Sequence, residues 1–201
     1  MRGFDDSTLR AYDTYHEVYD FETADFWERF PSGLIDSFVS KLPGNRVLNL
    51  GSGPGRDAIL LRNRGLKVLC MDGSHNMVLA TQRLGFESVQ ADMREMDFPA
   101  DSFDGVWAYS SLIHLSASEA RGVMKKISIM LRPKGLLFLG LIEGDTGSYV
   151  PLAASGYRRF FQYYKEDTVR DLIANSGLEI LVQDVYQPHR DIYLNFVCIK
   201  K

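Results

Sequence analysis

Three glycines at alternate positions, Gly51, Gly53 and Gly55, follow the apolar run Val47-Leu48-Asn49-Leu50. A carboxylate, Asp72, ends the next apolar run, Lys67 to Met71. Glycines in such a turn let backbone amides approach a ligand closely. An acid at the end of the following strand is placed to accept hydrogen bonds from ribose hydroxyls. This is the layout of a nucleotide-binding βαβ unit. A dinucleotide fingerprint has its third glycine three residues after the second, where this chain has Arg56. The tighter turn leaves less room for a pyrophosphate at the helix N-terminus.

The elements that must hold these groups alternate along the chain, as in an α/β fold with a parallel sheet. Strands are expected over 46–50, 67–71, 88–91, 103–109 and 136–142. Helices are expected over 55–64, 74–84 and 116–131, with Ser74 as a cap and Ser116 and Glu119 as a capping box. Arg132-Pro133-Lys134-Gly135 reads as a turn into the fifth strand. A less regular stretch follows, then a helix over 165–176 and two strands, 178–185 and 192–200. With no helix between them, those two form an antiparallel pair at one edge of the sheet.

The chain of 201 residues suits one domain, and 45% hydrophobic with 24% charged residues is ordinary for a soluble globular protein. A net charge of −3 disfavours broad capture of nucleic acid, whose phosphates need a basic face. Cys70 and Cys198 have no metal-ligand or redox spacing and read as reduced core residues of a cytoplasmic protein. No metal is expected. No apolar run nears the ~20 residues of a membrane span, and the acidic N-terminus does not read as a signal peptide.

The Gly-x-Gly-x-Gly turn, the five βα units and the final strand pair together resemble the class I S-adenosylmethionine (SAM)-dependent methyltransferases of small-molecule type. The resemblance implies a doubly wound, mostly parallel seven-stranded sheet with an antiparallel edge strand. It implies an enzyme that uses SAM to methylate a small-molecule acceptor. It divides residues 1–201 into a helical lid, 1–41, and a Rossmann-like core, 42–201, with a substrate-side insertion at 143–164.

The same resemblance implies the cofactor residues. Gly51, Ser52, Gly53 and Gly55 would offer backbone amides to the methionine part, with Arg56 opening the helix. Asp72 would take the ribose, flanked by Gly73 and Met77. Ala91, Asp92 and Met93 would meet the adenine, and Ala108 and Tyr109 sit at the ligand end of strand four. Asp104, at the other end of that strand, reads as structural. One departure is Asn49, where the family usually has an acid that steers the methionyl ammonium. An amide accepts a hydrogen bond there but adds no charge attraction.

On the acceptor side, His114 follows strand four beside the expected methyl position and is the candidate general base. The alternative is a histidine that shapes the loop or touches the cofactor without exchanging protons, and the two roles stay open here. His16, His75 and His189 are less well placed. Two aromatic-rich segments fall where the family builds its acceptor pocket. The first contains Tyr12, Tyr15, Tyr19, Phe26 and Trp27, its three tyrosines at helical spacing. The second contains Tyr149, Tyr157, Phe160, Phe161, Tyr163 and Tyr164, with Arg158 and Arg159 placed to pair with an acidic substrate. Tyr15, Tyr19, Ser110, Tyr157 and Arg158 are the candidate acceptor contacts. Two rival readings remain: a SAM-binding or regulatory module without turnover, and a nicotinamide-dependent oxidoreductase. Against the second stand Arg56 and the lack of a Tyr-x-x-x-Lys pair.

Overall fold

The computed structural model describes residues 6–23, 25–26, 30–152, 156–188 and 190–201. Trp27 and His189 therefore lie outside the described residues. The chain opens with two short helices, α1 (Asp6–Thr14) and α2 (His16–Glu22), followed by α3 (Ser32–Ser40). Then β1 (Arg46–Leu50), α4 (Arg56–Arg62), β2 (Lys67–Asp72), α5 (His75–Arg83) and β3 (Glu87–Gln90) alternate. The strand β4 (Phe103–Tyr109) leads through a 3-10 turn, Leu112–His114, into α6 (Ala117–Met130) and β5 (Leu131–Ile142). A small hairpin, β6 (Ser148–Pro151) and β7 (Arg158–Phe161), precedes α7 (Glu166–Ala174), β8 (Leu178–Tyr186) and β9 (Tyr193–Lys200).

Seven strands form one sheet in the order β3-β2-β1-β4-β5-β9-β8. The first five are parallel, while β9 runs antiparallel to both β5 and β8. The antiparallel pair sits at one edge, with the reversed strand one place in from it. Strand order reverses between β1 and β4, and in such sheets the crevice beyond the strand ends at that point takes the ligand.

Side-chain alternation along the central strands supplies both faces of the core. Leu48, Leu50, Val106 and Ala108 pack on one face beneath α6 and α7, where Met124, Ile127 and Leu172 meet them. Val47, Trp107, Tyr109 and Phe138 pack on the other against Phe38 of α3 and Leu61 of α4. Trp107 and Phe138 stack at 3.8 Å on neighbouring strands. Both cysteines are free and buried in strands.

Local signals place the helix starts. The Ser74 hydroxyl accepts from Met77 N–H, and the Ser116–Glu119 capping box is present. Asp104 is structural as expected, accepting from Arg46 N–H at 2.9 Å and from Arg132 at 2.8 Å.

Three expectations change. The segment 132–135 belongs to β5 rather than to a separate turn. Lys134 has φ +64° there, and the pairing with β4 jumps between Phe103 and Gly105. The stretch after β5 is not irregular but carries the β6–β7 hairpin. The N-terminal helix breaks at Tyr15, so Tyr12, Tyr15 and Tyr19 do not share one continuous helical face.

Candidate active site

The glycine turn is built by left-handed backbone. Gly51 has φ +70°, and a Cβ on it would lie 2.4 Å from Ser111 Cβ, so no other residue fits. Gly51 and Ser52 donate their N–H groups to Met71 O, which ties the turn to β2. The Asp72 carboxylate accepts from Gly53 N–H at 2.8 Å and from Ser74 N–H at 2.9 Å. Enclosure raises its pKa against those two bonds. The surface it keeps lies on the wall of an open cavity.

That cavity lies at the β1/β4 switch point. Gly51, Gly53, Asp72, Gly73, Met77, Ala91, Asp92, Met93, Tyr109, Ser110 and His114 line it, as do Tyr12 and Tyr19. Thr8, Leu9, Ser111 and Leu115 complete the wall. Leu9 packs so closely over Gly73 that a Cβ there would meet it at 2.7 Å. Asp92 lies at the cavity wall, but Arg94 grips both its oxygens and bridges on to Glu119. Burial raises the Asp92 pKa and those bonds outweigh it, so the acid is held below the usual range.

Ser110 adopts φ +52°, a strained value for a residue with a side chain. Its hydroxyl and that of Ser111 are buried without hydrogen-bond partners among the described residues. Both residues line the cavity.

A second cavity adjoins the first and shares Tyr12, Tyr19, Gly51, Gly53, Tyr109 and Ser110 with it. Ser52, Arg56, Asp57, Phe26, Phe161, Tyr163, Tyr193, Arg159 and Asp191 are among its other walls. Arg56 binds the Asp20 carboxylate and Thr23 O, fastening α2 to the glycine turn.

Six expected site residues stand elsewhere. Asn49 is buried behind the turn and donates to Asp57 Oδ1 at 3.1 Å. Gly55 caps α4 and faces Thr81 and Leu84. Ala108 points into the core because alternation along β4 gives the cavity side to Tyr109. Tyr15 and Tyr157 pack on each other at 5.1 Å, outside the cavity lining. Arg158 is exposed and donates to Tyr149 O, whereas its neighbour Arg159 takes the inward position on β7.

His114 is fixed through both ring nitrogens. Phe160 O, 2.7 Å from Nδ1, can only accept, so Nδ1 carries the proton. Nε2 then accepts from the Tyr12 hydroxyl at 2.9 Å. Burial pushes the imidazole pKa down to about 4, the Phe160 bond opposing and Arg159 assisting. The ring is neutral near pH 7.

Asp57 was not singled out from the sequence, because an acid in a first helical turn reads as a partner of the helix dipole. It accepts from Asn49 and from Trp107 Nε1 at 3.0 Å. Burial raises its pKa to about 6 against these bonds. Thr8 and Leu9 carried no signal, since their approach depends on how α1 docks. Among the described residues no cluster of His, Cys, Asp and Glu could hold a metal ion.

Residues 48–139 match a family model described as a methyltransferase domain. The O-methyltransferase resE of Aspergillus sclerotiorum is 27% identical over 159 residues, covering 73% of this chain and 60% of that protein. The chain spans less than two thirds of the first curated relatives it matches. A SAM-dependent methyltransferase from Methanosarcina mazei superposes with TM-score 0.74 at 15% identity, covering 85% of this chain and 97% of that one. The 1,6-didemethyltoxoflavin-N1-methyltransferase of Burkholderia thailandensis, solved with its acceptor and S-adenosylhomocysteine, gives 0.70 at 21% identity, covering 94% and 88%. At these identities the structural likenesses show the fold: that of the class I methyltransferases.

Proposed function

We propose that this chain, which carries a methyltransferase domain of the class I fold over residues 48–139, moves a methyl group from SAM to a small organic acceptor. Asp72 is the observation that carries the reading. Its carboxylate braces the glycine turn through Gly53 and still faces the cavity, as an acceptor of vicinal ribose hydroxyls must.

The surrounding groups fit SAM. Met77, Ala91, Met93 and Leu115 make an apolar slot beside Asp72 for a flat base, with Asp92 at its wall. Gly51 and Gly53 open the turn to an amino-acid moiety, and Ser110 and Ser111 line the same space. Asn49 does not reach the cavity. The negative charge near this end belongs to Asp57, one bond behind Asn49 and on the wall of the second cavity.

When bound, SAM supplies a methyl carbon already activated by its sulfonium, which leaves alignment and exclusion of water to the protein. Tyr12 and Tyr19 sit where the two cavities meet and would orient the acceptor. His114 would act by holding Tyr12 in place, since its basic nitrogen already accepts from that hydroxyl. The same reading assigns residues 1–41 as a lid, 143–164 as a substrate-side insertion and 42–201 as the core. A cytoplasmic setting goes with it. No helix among the described residues is long and apolar enough to cross a membrane.

Calorimetry with SAM, S-adenosylhomocysteine and NAD tests the proposal, followed by a labelled methyl-transfer screen over small acceptors. We expect binding of the first two and turnover of at least one acceptor. Preference for NAD would overturn the reading. SAM binding without turnover across the screen would favour a binding module.

A further inference from the structure

Arg159 stands out among the charged groups of the second cavity. Arg56 is paired with Asp20, Asp57 is held by Asn49 and Trp107, and Asp191 is exposed. The Arg159 guanidinium lies among the rings of Tyr12, Tyr19 and Phe161, at 5.4, 5.9 and 5.3 Å from their centroids. One terminal nitrogen donates to the Tyr12 hydroxyl at 3.3 Å, and Nε is buried with no acceptor among the described residues. Among the described residues no carboxylate forms an ion pair with it.

A cation enclosed by rings keeps part of its stabilisation through their negative faces. Nε still lacks an acceptor among the described residues, and a planar guanidinium presents its donors as a fork suited to an oxyanion. The position is also informative. Tyr12, which Arg159 contacts, faces both cavities and bonds to His114, so the guanidinium lies near the junction between the cofactor space and the aromatic chamber.

We infer that the methyl acceptor is an aromatic organic anion, its ionised oxygen group bound by Arg159 and its ring seated among Tyr19, Phe26, Tyr109, Phe161 and Tyr193. The inference rests on the methyltransferase reading and narrows its substrate class. It also accounts for the engagement of both His114 nitrogens: an acceptor oxygen that arrives already ionised needs no base.

The test uses S-adenosylhomocysteine-loaded protein titrated calorimetrically with aromatic carboxylates, such as 2-naphthoate and cinnamate, and with their neutral amides. The wild type should bind the acids at least about tenfold more tightly than the amides, as loss of a charge-assisted hydrogen bond implies. Arg159→Met should bring that ratio close to one, and Arg159→Lys should restore part of it. Both variants should keep wild-type affinity for S-adenosylhomocysteine. Arg159→Gln replaces the Met variant if thermal melting shows that variant unfolded. Equal binding of acid and amide, no binding of any aromatic acid, or a preference that survives loss of the guanidinium would each overturn the inference while leaving the methyltransferase reading intact. Failure to bind S-adenosylhomocysteine at the outset would overturn both.

Discussion

Asp72→Asn is the sharpest probe of the cofactor assignment, because the structure divides the work of this one carboxylate. A carboxylate offers about four lone-pair sites. Two of them serve Gly53 N–H and Ser74 N–H, and the residue lines the cavity. Asparagine keeps one acceptor oxygen and loses the charge. A hydrogen bond to a charged group contributes about 1.5–3 kcal/mol. Losing one ribose contact at the low end weakens binding about tenfold, and losing two weakens it about a hundredfold, at roughly 1.4 kcal/mol per decade. The turn itself should suffer less, since the asparagine oxygen can still accept from one of the two amides. Calorimetry with S-adenosylhomocysteine gives the affinity, and a thermal melt reports the fold. A folded Asp72→Asn protein that binds with wild-type affinity would refute the reasoning and leave Asp72 as a turn brace alone.

Three further outcomes follow from the geometry. His114→Ala should raise the acceptor KM and leave kcat within about tenfold of wild type, with an unchanged pH profile; a kcat loss of about a hundredfold or more that vanishes at high pH would make His114 a base. Gly51→Ala should lower Tm sharply, because its Cβ would collide with Ser111, whereas Gly53→Ala, strained at φ +51° but with Tyr19 at 3.9 Å as its nearest neighbour, should lower Tm less; equal Tm losses would contradict this. For Asp57, a folded-state pKa of about 6 lies above its unfolded value, so its protonated form stabilises the fold at low pH and that contribution is lost as pH rises through 6. Asp57→Asn lacks the penalty, and its Tm relative to wild type should rise between pH 5 and pH 8 by ~2–4 °C, the shift expected for about 1 kcal/mol; a constant difference would refute the assignment.

The parts legible in the sequence are those in which a local pattern has one structural solution. An apolar run such as Leu136–Ile142 fits a buried strand between covered faces, and the capping box at Ser116 sets its helix. The glycine turn and Asp72 were readable because they sit at strand ends, and parallel order fixes which ends share a crevice. What escaped depends on choices between near-equal alternatives. Nothing in Arg158-Arg159 says which faces inward until the register of β7 against β6 is known. Tyr15 keeps its helical spacing in the sequence, but the break between α1 and α2 turns it towards Tyr157. Asn49 looks like a weakened ligand residue in one dimension. In three dimensions it is a buried donor to Asp57, eight positions along and on the next helix.

The limits of the family match divide the site in the same way. Within residues 48–139 lie Gly51, Asp72, Met77, Asp92 and Met93, which face the first cavity. Outside that span lie Tyr12, Tyr19, Arg159, Phe161, Tyr163 and Tyr193, which wall the second. The two sets meet at a few shared residues and are joined by bonds from Arg159 to Tyr12 and from Tyr12 to His114. A segment whose strands and glycine turn must hold one fixed ligand is constrained by backbone geometry, which family patterns capture. The docked α1–α2 pair and the β6–β7 hairpin meet no such requirement. Their side chains can change without disturbing the sheet, so on the methyltransferase proposal acceptor choice is expected to be written in the segments that flank the matched domain.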